Sequence, residues 1–375
     1  MPGSKFLAGG DTYYNTIGCI AYSNDGLNWT NLPDTKDLFD YCYSISCNED
    51  MCVAVGDKAY PSVATIAYSY NGIDWTAIEE DIFYSYARVV KWFEELGVWV
   101  VGGFDRFGGA KYNIATSTDG LNWTGQKIGQ VPAYQQPGGV GLAYMFGKAY
   151  LGLFYTTYPI YSSDDGINWS PVIASATHLS NICYGMEYDS SLGIMVAVGY
   201  GGFFHTNITW SDDGVNFNLL QDEGGRFFGD NRIYSLANND AGMFVLATNG
   251  DDDDIGYSLD GLAWTGLGFH FGGGSNFITW CGTFWLASGY DNYYYNYLTP
   301  EQATNSILKS TDGLTWTPVT NDPFYYYDEE YEDWTTECNS IYYNTYYAHN
   351  IYSYDVDFEN SPTSNSVHTS GISLE

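Results

Sequence analysis

Ser117-Thr118-Asp119-Gly120-Leu121-Asn122-Trp123 reads as a tight hairpin. The apolar alternating stretch Asn113-Ile114-Ala115-Thr116 leads in and a brief strand leaves from Trp123-Thr124. Between them, Asp119-Gly120 supplies the positive-φ residues that a short turn needs. The Ser117 hydroxyl and the Asp119 carboxylate are placed to accept hydrogen bonds from the turn's own amides. The same box recurs at 23–29, 69–75, 163–169, 211–217, 258–264 and 310–316. Its glycines are Gly26, Gly72, Gly120, Gly166, Gly214, Gly261 and Gly313, separated by steps of 46 to 52 residues. A constant period of that size marks a repeat architecture.

A second hairpin lies upstream of each box. Tyr43-Ser44-Ile45-Ser46-Cys47 turns into Met51-Cys52-Val53-Ala54-Val55-Gly56, and Ile182-Cys183-Tyr184-Gly185-Met186 turns into Ile194-Met195-Val196-Ala197-Val198-Gly199. Each unit is therefore four short strands with no helical period. That pattern predicts an all-β fold, a seven-bladed β-propeller of four-stranded antiparallel blades. Closing the ring hides nearly all sheet edges. Phe6-Leu7-Ala8-Gly9 has the look of a second strand and Ser340-Ile341-Tyr342-Tyr343 of a first strand, so strands from both termini are expected to complete one blade. The propeller is expected over residues 1–358, with 345–358 either completing that blade or capping the ring. Residues 359–375 read as a polar flexible tail.

The boxes resemble the Asp-box, or BNR, repeat of sialidases, sortilin-type receptors, propeller lectins and virus or phage structural proteins. The usual motif is S-x-D-x-G-x-T-W; here Asp and Gly are adjacent and the box is one residue shorter. The resemblance spans roughly residues 5–358 and implies a propeller. The Asn/Asp/Gly/Tyr-rich style is most similar to virion-associated repeat proteins. The repeats argue that the turn residues Asp25, Asn71, Asp119, Asp165, Asp213, Asp260 and Asp312 are structural. Asn71 keeps the acceptor oxygen without the charge, and Phe217 keeps the bulk of the Trp. Neither swap suits an acid, a base or a metal ligand.

Composition removes other function classes. The chain carries 12 Lys+Arg against 45 Asp+Glu, a net charge of −33. Nucleic-acid binding is excluded on that balance, because affinity there comes from neutralising phosphates. Adhesion to an anionic lipid surface is disfavoured for the same reason. No run approaches the ~18 apolar residues of a membrane span. The opening Met1–Gly10 lacks the apolar run of a secretory leader. Synthesis in the cytoplasm, followed by incorporation into a virion or display at an extracellular surface, is the expectation. The seven cysteines show no paired metal-site spacing. Most read as small buried hydrophobes; Cys47 and Cys52 flank a short turn, and separate thiols are expected there.

Alternating strand direction puts the first–second turns and the boxes on one face, and the longer, more varied connections on the other. Binding is expected on that second face or at the channel mouth. Tyr293, Tyr294, Tyr295 and Tyr297 fall in one such connection; Tyr325, Tyr326, Tyr327, Tyr331 and Trp334 fall in the next. Aromatic platforms of this kind suit a protein contact or, alternatively, a surface glycan. Asp251, Asp252, Asp253 and Asp254 form the one candidate calcium site, weighed against a solvated acidic loop. No other cofactor is expected. The histidines His178, His205, His270, His349 and His368 share no ligand spacing. Arg88, Arg106, Arg226 and Arg232 lack the setting that a sialidase uses to grip a carboxylate. A non-enzymatic binding or assembly module is therefore the leading reading, a glycan-binding propeller the second and a glycosidase the third.

Overall fold

The computed structural model describes residues 6–12, 17–58, 64–80, 82–104, 112–129, 138–154, 156–177, 179, 182–200, 207–220, 232–249, 253–271, 274–290, 306–324, 326–328, 333–335 and 337–343. These residues form antiparallel sheets; their helical content is two 3-10 turns, Pro33–Asp37 and Ile173–Thr177. The pairing repeats in runs of four strands. One run is Phe39–Cys47, Cys52–Lys58, Ile66–Ser69 and Thr76–Ala77; the next is Tyr86–Phe93, Val98–Phe104, Ile114–Ser117 and Thr124–Gln126. Gly138–Met145, Lys148–Phe154, Ile160–Ser163 and Ser170–Pro171 follow, then Ile182–Asp189, Ile194–Tyr200, Ile208–Ser211 and Asn218–Leu219. Ile233–Asn238, Phe244–Thr248, Ile255–Ser258 and Thr265–Gly266 precede Gly274–Trp280, Trp285–Tyr290, Ile307–Ser310 and Thr317–Pro318. The remaining run joins the two ends of the chain. Cys338–Tyr343 pairs with Phe6–Gly10, in register Phe6↔Tyr343 to Gly9↔Ser340, and Ile20–Ser23 and Trp29–Asn31 continue outward. The first and last described strands thereby share one sheet, as the sequence predicts. The expected tail 359–375 and the segment 345–358 lie outside the described residues.

The first strand of each run touches the first strand of the next, from Phe39–Cys47 round to Gly274–Trp280, then Cys338–Tyr343, and back to Phe39–Cys47. The sheets thus stand in a closed ring with these strands innermost. At several seams the end of a second strand bridges to the next inner strand, as at Asp57↔Tyr86, Phe154↔Ile182, Asp11↔Tyr41 and Tyr290↔Glu337. The core is the set of gaps between sheets. Phe6, Ala21 and Trp29 pack against Leu286, Ile307 and Phe324 of the preceding sheet, while Leu7 and Ile20 pack against Ile45 and Ala54 of the following one. Second strands are covered on both faces, which is why Val98–Gly103 is buried at every position. Burying one such tryptophan or leucine contributes about 2–3 kcal/mol by area.

Cys47 and Cys52 are joined by a disulfide. This corrects the expectation of separate thiols. The hairpin register puts the two residues directly opposite each other across the turn at 48–51, a pairing that spacing alone does not specify. Cys19, Cys42, Cys183, Cys281 and Cys338 are free and buried. Burial away from water pushes the Cys19 thiol up to about 12.

Candidate functional site

Every inner strand carries a bulge. The register slips past Tyr43, Arg88 and Val140, and likewise past Tyr184, Tyr234, Asn276 and Asn339. A bulge leaves one residue unpaired and bends its strand. Each of these residues lines the central channel, a cavity of about 590 Å³ whose wall comes from the inner strands all round the ring. The residues before and two after the unpaired one return to the core. Cys42 and Ile45 are buried, as are Ala87 and Val90, Cys183 and Met186, Ile233 and Leu236, and Cys338 and Ile341. The bulge thus turns one extra residue of each inner strand toward the channel, beside neighbours such as Ser44, Lys91 and Ser340 that also line it.

The inner strands all run from the long-connection face toward the box face. The unpaired residues sit toward their starts, so they ring the channel near its mouth on the long-connection face. There Tyr43 stacks on Tyr41 at 6.0 Å between ring centres and meets Tyr86 at 5.7 Å. The Arg88 guanidinium lies 4.4 Å over the Tyr43 ring, a cation–π contact. Across the ring Tyr184 meets Tyr234 at 5.3 Å, and Arg232 lies over Tyr200. Burial raises the Glu337 carboxyl beside this mouth to about 7, with Asp11 adding to the rise and Arg88 opposing it. Toward the box face, Asn238 Nδ2 donates to Glu187 Oε2 at 3.4 Å and to the Tyr188 carbonyl at 3.0 Å. Glu187 is ringed by protein, and that burial raises it to about 7 against the pull of Lys91.

The box residues do a different job. Asp119 Oδ1 accepts from the Leu121 and Asn122 amides at 2.9 and 2.8 Å, and Oδ2 accepts from Asn122 Nδ2 at 2.7 Å. Asp25, Asp165 and Asp213 repeat this pattern, and Asp260 and Asp312 accept the same pair of amides. Asn71 keeps it with polarity reversed: its Oδ1 accepts both amides, while its Nδ2 donates to Asp74 Oδ2 at 2.6 Å. The partner position exchanges Asn for Asp when the turn position exchanges Asp for Asn. Hydrogen bonds from the Asn216 and Val215 amides hold Asp213 down at about 2, and the Thr315 and Leu314 amides do the same for Asp312. Each box glycine has positive φ and sits against the preceding sheet, Gly120 against Met51, Gly166 against Val98 and Gly313 against Met243, while Trp99 and Trp285 of their own sheets close in on Gly120 and Gly313.

Of the acidic run, Asp251 and Asp252 lie outside the described residues. Asp254 is fully buried and its Oδ2 accepts from the His270 and Phe271 amides at 2.7 and 2.5 Å, while Oδ1 lies 3.1 Å from His270 Nδ1. Asp253 Oδ1 accepts from the Gly268 amide at 2.6 Å. Both carboxylates thus anchor the connection at 266–271 through its backbone amides. Among the described residues no group of three or more His, Cys, Asp or Glu is arranged to hold a metal ion. Tyr293, Tyr294, Tyr295, Tyr297, Tyr325 and Tyr331 lie outside the described residues. Tyr326–Asp328 and Asp333–Thr335 form a hairpin whose backbone sets Tyr327 directly opposite Trp334, on the connection that leads into Cys338–Tyr343. Sequence reasoning missed the bulge ring. Its signal was available: apolar positions in the inner strands recur at i and i+3, a slip from the period of two.

No family model matches the chain, and no curated protein matches it. Solved structures do. The periplasmic gluconolactonase of Pseudomonas aeruginosa aligns at a TM-score of 0.55 with 8% identity, over 90% of this chain and 98% of that one. A protein from Lactobacillus plantarum aligns at 0.52 with 9% identity, over 90% and 98%. YCF48 bound to D1 peptide aligns at 0.48 with 14% identity, over 86% and 94%. The first two place the chain in the β-propeller fold.

Proposed function

We propose that the chain is a seven-bladed propeller built on an Asp-box-like turn. It acts as a non-enzymatic binding and assembly module whose long-connection face docks a protein partner. The observation that carries this reading is the aromatic and arginine ring at the channel mouth. Tyr and Arg are the side chains that anchor protein interfaces, because they bring large contact area with little ordering cost. The box face offers carboxylates already occupied by their own turns. The net charge of −33 favours a basic partner surface and fast, salt-sensitive encounter. Assembly into a virion or onto a cell surface fits this mode, and the Cys47–Cys52 disulfide fits an oxidising compartment.

Amine cross-linking of the protein with whatever co-purifies from its native source tests the face. Lys36, Lys58 and Lys127 lie on the long-connection side, and Lys148 and Lys309 on the box side. Cross-links to the partner should come from the first group. Cross-links confined to Lys148 and Lys309 would overturn the assignment. Binding of a surface glycan with no protein partner would favour the lectin reading instead.

A further inference from the structure

We propose that the bore of the channel is a binding site for a neutral, polyhydroxylated small molecule of mono- or disaccharide size. The proposal stands independently of which partner covers the mouth.

Two buried polar groups on one inner strand carry it. Asn339 Nδ2 and Ser340 Oγ both line the channel, and neither has a hydrogen-bond partner. Ser340 is only 5% exposed. The equivalent serines at other seams are used: Ser44 Oγ accepts from the Val90 amide of the next inner strand at 3.3 Å, and Ser235 Oγ accepts from the Ile278 amide at 3.3 Å. At Ser340 the same register leaves the hydroxyl unpaired. A buried polar group without a partner is costly, so one that persists points to a ligand or water that satisfies it.

The surroundings select the ligand's chemistry. Asn276, Asn339, Tyr43 and Arg88 stand on consecutive inner strands and make one side of the ring polar. Val140, Tyr184 and Tyr234 make the other side flat and apolar. A sugar presents both characters, hydroxyls on its edge and C–H groups on its face. Arg88 and Lys91 stand in the wall together with Glu187 and Asp240, so an ion of either sign meets like charge there. The overall charge of −33 repels an approaching anion. A neutral polyol meets neither obstacle. A cavity of about 590 Å³ falls in the ordinary range for small-molecule sites.

Isothermal titration of the full chain tests this with D-glucose, D-galactose, D-mannose, N-acetyl-D-glucosamine, cellobiose and lactose. Glycylglycine, arginine and citrate form the counter-panel. At least one sugar should bind one-to-one with a millimolar or tighter dissociation constant. Ser340→Ala and Asn339→Ala should each weaken it at least tenfold. Ser340→Ala should leave the melting temperature unchanged or raised, whereas Ser44→Ala, which strips an acceptor from the Val90 amide, should lower it. The proposal is overturned if no sugar binds at tens of millimolar, or if binding ignores both variants. Counter-panel ligands binding with the same variant dependence would overturn the polyol assignment.

Discussion

Replacing Gly166 by alanine separates the two roles of the box glycine. Three glycines share the same backbone strain: Gly147, Gly72 and Gly166 have φ of 72, 67 and 70°. A Cβ at Gly147 would meet nothing within 4 Å, and one at Gly72 would lie 3.6 Å from Leu7 Cδ2, an ordinary contact. At Gly166 it would lie 2.6 Å from Val98 Cγ1. Val98 is 2% exposed and β-branched, so it has no free rotamer to retreat into. The left-handed conformation alone costs about 1 kcal/mol for alanine. Overpacking adds about 1–3 kcal/mol. Gly147→Ala and Gly72→Ala should therefore cost about 1 kcal/mol each, and Gly166→Ala about 2–4 kcal/mol. For a chain of this length each kcal/mol lowers Tm by about 1–2 °C. Urea unfolding of the three variants under one set of conditions measures the difference. Equal losses at all three positions would refute the idea that the box glycine is a seam between sheets as well as a turn residue.

Asp119→Ala should destabilise by about 1–2 kcal/mol, as loss of a helix cap does, while Asp119→Asn should cost less than half of that. Calorimetry with and without calcium checks it, and a calcium-dependent Tm in the wild type that Asp119→Ala abolishes would contradict a purely architectural carboxylate. Stability should peak near pH 4–5. Asp213 and Asp312 sit at about 2 when folded, so what they contribute is full above about 3.9 and is lost as pH falls through their folded values. Glu187 and Glu337 sit at about 7; the folded state binds their protons more tightly, so stability is full below about 4.3 and declines as pH rises to 7. Glu187→Gln should flatten that decline, and urea midpoints rising steadily from pH 5 to 8 would rule the argument out. Thiol titration should find no reactive cysteine in the native protein, five after denaturation and seven after denaturation with reductant. Reduction of Cys47–Cys52 should cost at most about 2 kcal/mol, because the loop it closes is short.

The repeat makes the sheets legible in the amino-acid order alone. A turn that must be tight needs glycine at one fixed place and an acceptor just before it, and both are local demands. Closure was legible for a similar reason: Phe6–Gly10 and Cys338–Tyr343 are each half of a hairpin whose other half is missing nearby. The candidate site was far less legible. Tyr184 and Asn339 look like ordinary strand residues in sequence. Only the register shift against the neighbouring strand shows them turned into the channel. The acidic run at 251–254 drew attention through charge, yet Asp254 is spent on the amides of His270 and Phe271, sixteen and seventeen residues away.

The boundary between the two kinds of knowledge is a matter of range. Strand, turn and unit length follow from interactions within a few residues, and the amino-acid order determined them alone. The seating of each box glycine on the sheet before it and the unpaired Ser340 hydroxyl depend on how separate strands register and stack. Those arrangements are decided by packing the sheets around a closed ring, where each inner strand must meet its neighbour on both sides.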